Sequence, residues 1–190
     1  AEATLATYVE RVAAAIDGAG RPVILVGHSM GGIVISATAE ERSADIARLV
    51  YVAAYVPRSG ESLFDLAMTD SDSDIGANLV DHEDGTLGIQ PDAFADLFCA
   101  DCDADGRAAL VAGYRPEPAA PLATPVELTS GAFGALPRTY LSTTHDRVIS
   151  PDLQSRMTAA TPMDRELTLE TSHVPMLAAP DALAELLLDE

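Results

Sequence analysis

The chain has 190 residues and a net charge of −19, from 30 acidic residues against 11 basic ones, every basic residue being an arginine. Such a chain offers no basic stripe to a phosphate backbone, which excludes nucleic acid and disfavours anionic lipid surfaces as partners. The longest apolar runs, Pro22–Gly27 and Leu49–Pro57, fall far short of the ~20 residues that span a bilayer. Two cysteines make no disulfide scaffold, so the expectation is a soluble, cytoplasmic globular protein with one core and no membrane segment.

At the amino end, Leu5, Tyr8, Val9, Val12 and Ile16 recur at helical spacing. The chain therefore opens as a helix rather than a charged-then-apolar signal segment. Asp17-Gly18 and Gly20 end that helix. Pro22–Val26 follows as an apolar, β-branched run without alternation, the pattern of a strand buried on both faces, stopping at Gly27. A helix over Ile33–Ala39 comes next, then a second apolar strand within Ile46–Val56. Thr139–Ser142 and Arg165–Leu169 read as a third and a fourth strand, with Gln154–Met157 and Ala182–Leu188 as the helices after them. Unalternating strands separated by helices predict an α/β fold with a doubly wound parallel sheet.

Residues 58–137 differ in character, being dense in proline, glycine and aspartate. Asp84-Gly85 between Leu79-Val80 and Leu87–Ile89 marks a hairpin. Phe94, Leu97 and Phe98 suggest one short amphipathic helix, Leu110 and Val111 another. A segment this long is not a plain loop. It is expected to form a cap on a core made of residues 1–57 and 138–190.

The chemistry-bearing motif is Gly27-His28-Ser29-Met30-Gly31-Gly32, a G-x-S-x-G between an apolar strand and an apolar helix. That context strains the serine backbone and lifts its hydroxyl above the sheet. Bulk at Gly27 or Gly31 is expected to collide with the neighbouring helix and strand. The Met30 amide, at the helix start, faces the place where a carbonyl oxygen gains negative charge. A serine nucleophile needs a base, and the base an orienting acid. Of the four histidines, His28 lies inside the elbow, His82 in the cap hairpin and His145 just past the third strand. His173 follows the fourth strand, and Asp146 holds the matching place after the third, both at the strand ends where open parallel sheets build their sites. Ser29, Asp146 and His173 thus stand in the order nucleophile, acid, base, with Asp152 the weaker rival for the acid. Leu63, Phe64, Leu66, Met68, Phe94 and Phe98, with His28, are candidates to line an apolar substrate pocket.

With these residues the chain resembles the α/β-hydrolases, and within them the branch of plant methyl-ester esterases, plant hydroxynitrile lyases and bacterial carboxylesterases. The resemblance rests on Gly27–Gly32, on Tyr51–Pro57 with Gly60-Glu61-Ser62, on Asp146 with Pro151, and on Ser172–Pro175. It implies Ser29 as nucleophile, Asp146 as acid, His173 as base and Met30 as one oxyanion donor. Lyases of this branch carry a lysine after the histidine, where this chain has Val174, so the resemblance favours an esterase. It also implies that the fold is amino-terminally truncated here. Family members begin with strands and a His-Gly loop supplying the second oxyanion amide, so a missing amino-terminal segment or a second chain is expected to complete the sheet.

The remaining signals are weaker. Cys99-Ala100-Asp101-Cys102 lacks two further zinc ligands and stands apart from any βαβ unit. It reads as two ordinary cap cysteines in preference to a local disulfide, a redox motif or a metal pair. Asp101, Asp103, Asp105 and Gly106 imitate a calcium loop whose twelfth position is Ala112, where a glutamate is required; Asp103 or Asp105 is expected to cap a helix instead. No metal and no cofactor are expected. The reading is a serine hydrolase cleaving a carboxylic ester of a small to medium, neutral, hydrophobic substrate through an acyl-enzyme. The alternatives are a C–C bond hydrolase or lyase on the same residues, or a hydrolase-like ligand-binding protein with little turnover.

Overall fold

A computed structural model describes residues 3–188. Thr4 starts the first helix, α1 (Leu5–Ala19), through a reciprocal cap in which each of Thr4 and Thr7 accepts from the other's amide. Gly20 ends it in the left-handed region at φ 64°. Next come β1 (Val23–Ser29), α2 (Gly31–Arg42), β2 (Ile46–Ala54) and α3 (Leu63–Ala67). The hairpin β3 (Leu79–Asp81) and β4 (Thr86–Ile89) precedes α4 (Pro91–Phe98), α5 (Ala104–Gly113), β5 (Glu117–Pro118) and α6 (Ala119–Ala123). The chain closes with β6 (Arg138–Thr143), α7 (Pro151–Ala160), β7 (Arg165–Leu169), α8 (Pro175–Ala178) and α9 (Pro180–Leu188).

Four strands form one parallel sheet in the order β1-β2-β6-β7. Residues of β2 alternate between two cores. Leu49 and Tyr51 pack with Ile33 and Ile35 of α2 and Leu153 and Met157 of α7. Val50 and Val52 face the other way, against Leu183 with Leu186 and Leu187 of α9. Helices on both faces make this the doubly wound α/β sheet that the apolar runs predict. Burying a side chain such as Leu49 or Leu141 stabilises it by ~1.5–3 kcal/mol, so the sheet's middle strands anchor the molecule.

The flanking strands depart from the expectation. β1 is buried on one face only. Its Val23 and Leu25 pack toward the α2 side, while Ile24 and Val26 are 45% and 49% exposed. α9 reaches β2, β6 and β7 but leaves this corner uncovered. β1 is also an edge, paired with β2 alone among the described residues. It runs through Gly27 to Ser29 rather than stopping at Gly27. β7, the other edge, alternates along its length.

Residues 58–137 carry the second, antiparallel sheet, β3-β4-β5. Leu79 pairs with Ile89, and Gly85 takes φ 81° in the turn between them. The two-residue strand β5, pairing with β4, is too short to leave a sequence pattern. α4 and α5 form where Phe94 and Leu110 fall, and Asp103 caps α5 by accepting from the Gly106 amide at 2.8 Å.

Candidate active site

At the end of β1 the backbone of Ser29 turns to φ 54°. A non-glycine residue in this region costs ~1–3 kcal/mol and persists only where its surroundings enforce it. They do so here. The Tyr55 amide donates to the Ser29 carbonyl at 3.1 Å. β2 bulges opposite, with His28 beside Val52 and Ser29 beside Ala54, so that Ala53 is the extra residue, at φ 43°. Met30 follows as the N-cap of α2. A Cβ on Gly27 would sit 2.7 Å from the Gly31 carbonyl oxygen, and one on Gly32 2.1 Å from the Tyr55 carbonyl oxygen. One on Gly31 would meet nothing within 4 Å. The expectation of bulk intolerance at Gly31 is thus corrected to Gly32, where the helix backs onto the strand end.

His173 and Asp146 meet beyond the ends of β7 and β6. His173 Nδ1 lies 2.8 Å from Asp146 Oδ2. The other carboxylate oxygen accepts the amides of Val148 at 2.8 Å and Ile149 at 2.9 Å. Thr143 Oγ1 donates to Oδ2 at 2.9 Å, and Gln154 braces Thr143 in turn. Burial pushes the Asp146 pKa up, but His173 and the two amides outweigh it, and the carboxyl is held below its ordinary value. An ionised Asp146 accepts a hydrogen bond from the His173 Nδ1–H, which places the ring's lone pair on Nε2. That Nε2 is buried with no hydrogen-bond partner among the described residues. The expected contact from the Ser29 hydroxyl to His173 is therefore not made among the described residues.

His28 lines the groove beside the serine elbow and also reaches the backbone of His173. Its Nε2 donates to the His173 carbonyl at 2.7 Å, and the two rings lie 4.7 Å apart between centroids. Desolvation and the neighbouring His173 lower its pKa to about 4, so His28 holds the His173 backbone as a neutral ring.

Of the apolar pocket candidates, Phe98 stands edge-on to the His173 ring at 5.3 Å, and Phe94 packs on Phe98. Leu63, Leu66 and Phe94 are buried in the main core with Phe64 packed against it, whereas Met68 is 86% exposed on the surface. A groove of roughly 430 Å³ runs along β1 and α2 past Val26, Gly27, His28 and Met30. Tyr8, Arg11 and Glu117 line its polar side, and none of Leu63, Phe64, Phe94 or Phe98 does. Asp152, the rival acid, is an exposed partner of Arg156. His145 is exposed, and His82 lies in the β3–β4 hairpin.

Cys99 and Cys102 are joined in a disulfide rather than standing as two ordinary thiols. With Asp101 they are the one cluster of metal-ligand type among the described residues, but the sulfurs are bonded to each other and the carboxylate is taken by Ser172. Sequence reasoning weighs Asp101 only as a cation ligand and misses this contact, because Asp101 and Ser172 are far apart in the chain.

Residues 1–186 match the alpha/beta hydrolase family. The chain belongs to that family. Among curated proteins it is 27% identical to "Putative methylesterase 11, chloroplastic" of Arabidopsis thaliana, over 98% of this chain and 51% of that protein. It is 26% identical to the pyrethroid hydrolase of Sphingobium wenxiniae, over 96% of this chain and 68% of that protein. The α/β-hydrolase chain thus spans about half the length of the first curated relatives it matches. Among solved structures, polyneuridine aldehyde esterase superposes with a TM-score of 0.85 at 19% identity, covering 98% of this chain and 79% of that one. That likeness speaks to the fold. No described helix is long and apolar enough to cross a membrane.

Proposed function

We propose that this chain carries the catalytic residues of a carboxylic-ester hydrolase working through an acyl-enzyme. One observation carries the reading: the strained Ser29 elbow shares its end of the sheet with a buried His173–Asp146 pair whose Nε2 lone pair is unpartnered. In the proposed reaction His173 Nε2 takes the Ser29 hydroxyl proton as Oγ attacks the ester carbonyl, and Asp146 stabilises the imidazolium that forms. The Met30 amide receives the developing oxyanion. His173 returns the proton to the departing alcohol, then takes one from water, whose oxygen attacks the acyl-serine and releases the acid. The names of the relatives, methylesterase and pyrethroid hydrolase among them, support an ester as the scissile bond. A small to medium, neutral, hydrophobic substrate suits the apolar Phe98 ring beside the base and the charge of −19. Val174, where a lyase would need a cation, weighs against the lyase alternative. Residues 58–137 act as the cap in this reading, since Phe98 reaches His173 from that segment.

The open edge of β1 bears on the same proposal. An unpaired strand edge with exposed apolar side chains is a template for another strand. The proposal assigns that place to a strand from outside these 190 residues, in the same polypeptide or a second chain, and gives its loop the second oxyanion amide. Incubating the protein as the cell makes it with a fluorophosphonate and with a short p-nitrophenyl ester tests the whole. Labelling confined to Ser29, with ester turnover, supports the reading; an unlabelled Ser29 overturns it. Fast hydrogen exchange at the β1 amides that point away from β2 in that same protein would remove the added strand.

A further inference from the structure

We infer that Asp101 is a positioning residue for His173, holding it from the inserted segment by two hydrogen bonds to the preceding residue. This inference rests on the hydrolase reading above.

The His173 side chain is tied at Nδ1 to Asp146, but a ring's aim also depends on the backbone that carries it. That backbone is pinned on both sides. His28 Nε2 donates to the His173 carbonyl at 2.7 Å. On the other side the Ser172 amide donates to Asp101 Oδ2 at 2.8 Å, and the Ser172 hydroxyl donates to Asp101 Oδ1, with the Phe98 carbonyl a second acceptor at 3.2 Å. Ser172 is 1% exposed, so without Asp101 its amide would be left unsatisfied in the interior, and its hydroxyl would keep only the Phe98 carbonyl.

The turn that presents Asp101 is itself fixed. The Cys99–Cys102 disulfide closes it, and both cysteines pack on Val174, immediately after the base. Arg107 Nη1 donates to the Cys99 carbonyl at 3.1 Å, and its other terminal nitrogen pairs with Asp96. Phe98, at the end of α4, supplies the ring edge against the imidazole. One short turn, 98–102, thus touches the residue before the base, the base and the residue after it. Misplacing a catalytic group by about an ångström can cost on the order of a hundredfold in rate, so releasing this hold reduces turnover without altering the nucleophile or the acid.

The test uses Asp101→Ala, Asp101→Asn and Ser172→Ala, with p-nitrophenyl ester kinetics, fluorophosphonate labelling and unfolding temperature measured on each. Asp101→Ala is expected to lower kcat roughly 10- to 100-fold with KM within about twofold, and to slow labelling of Ser29 in parallel. Asp101→Asn should recover to within a few-fold of wild type. Its amide oxygen still accepts from the Ser172 amide, and its NH₂ donates to the Ser172 hydroxyl, which turns to the Phe98 carbonyl. A purely structural role would track unfolding temperature instead of splitting kcat from KM. Wild-type kcat in Asp101→Ala overturns the inference, as does equal damage in both Asp101 variants. If Asp101→Ala fails to fold, Ser172→Ala, which deletes one hydroxyl, carries the same kcat criterion. A wild-type protein that neither turns over nor labels defeats the hydrolase reading instead. The proton resonance of the His173 Nδ1–H then decides: broadening or loss in Asp101→Ala but not in Asp101→Asn supports positioning, and an unmoved resonance overturns it.

Discussion

His173 Nδ1 and Asp146 Oδ2 lie 2.8 Å apart with both side chains wholly shielded from solvent. A buried carboxylate is costly unless its oxygens are hydrogen-bonded, and here Val148, Ile149 and Thr143 share that task with His173. Asp146 cannot swing away, and the ring it orients has one nitrogen left for chemistry.

Replacing Asp146 by Asn keeps the shape and changes the hydrogen-bond logic. The amide can donate to Nδ1, which moves the imidazole proton to Nε2 and removes the lone pair that receives the Ser29 proton in the proposed reaction. Turnover of a p-nitrophenyl ester is expected to fall about ten-thousand-fold, with far-UV circular dichroism unchanged. A loss below tenfold would show that another group orients the base.

Ser29 separates activity from stability. Ser29→Ala removes the hydroxyl but keeps the strained φ of 54°, so fluorophosphonate labelling should vanish while the unfolding midpoint stays near wild type. Ser29→Gly is equally inactive but relieves the strain. It should be more stable than Ser29→Ala by about 1 kcal/mol in chemical denaturation. Equal stability of the two variants would mean that the elbow is not under strain in solution.

The three glycines of the elbow should respond in opposite directions. Gly32→Ala drives a Cβ to within 2.1 Å of the Tyr55 carbonyl oxygen and is expected to cost at least about 3 kcal/mol or prevent folding. Gly27→Ala, at 2.7 Å from the Gly31 carbonyl oxygen, should also destabilise. Gly31→Ala meets open space at the first turn of α2 and should be neutral or stabilising by up to ~1 kcal/mol. Urea unfolding of the three variants checks the ranking.

Acid should weaken the fold in two windows. His28 is depressed to about 4 in the folded state against ~6.5 unfolded. The unfolded chain therefore binds the proton first, and stability falls as pH drops from about 6.5 to 4, by on the order of 3 kcal/mol. Asp146, held below its ordinary value, adds a further loss as pH falls below about 4. Unfolding temperature followed from pH 7.5 to 4.5 should decline for wild type and flatten for His28→Gln, whose amide keeps a donor for the His173 carbonyl but does not titrate. An undiminished decline in the variant would assign the window to another group.

Much of this molecule is determined by local sequence. The apolar runs of Val23–Val26 and Leu49–Ala54 specify strands, Gly20 and Asp84-Gly85 specify where the chain turns, and Gly27–Gly32 can be accommodated only at a tight strand-to-helix elbow. Asp146 and His173 are legible as partners because each follows a strand of a parallel sheet, whose ends must converge. Three features are decided by tertiary structure alone. Val26 is exposed although its run reads as buried on both faces, because burial depends on what packs against a strand, and α9 stops at β2. His28 bonds the His173 backbone, because the direction of its side chain follows from where the His173 carbonyl arrives. Asp101 meets Ser172 across 71 residues of sequence, a pairing that no periodicity encodes. Local preferences set the elements and the turns, while contacts between distant elements exist only once the sheet has brought them within a hydrogen bond's length.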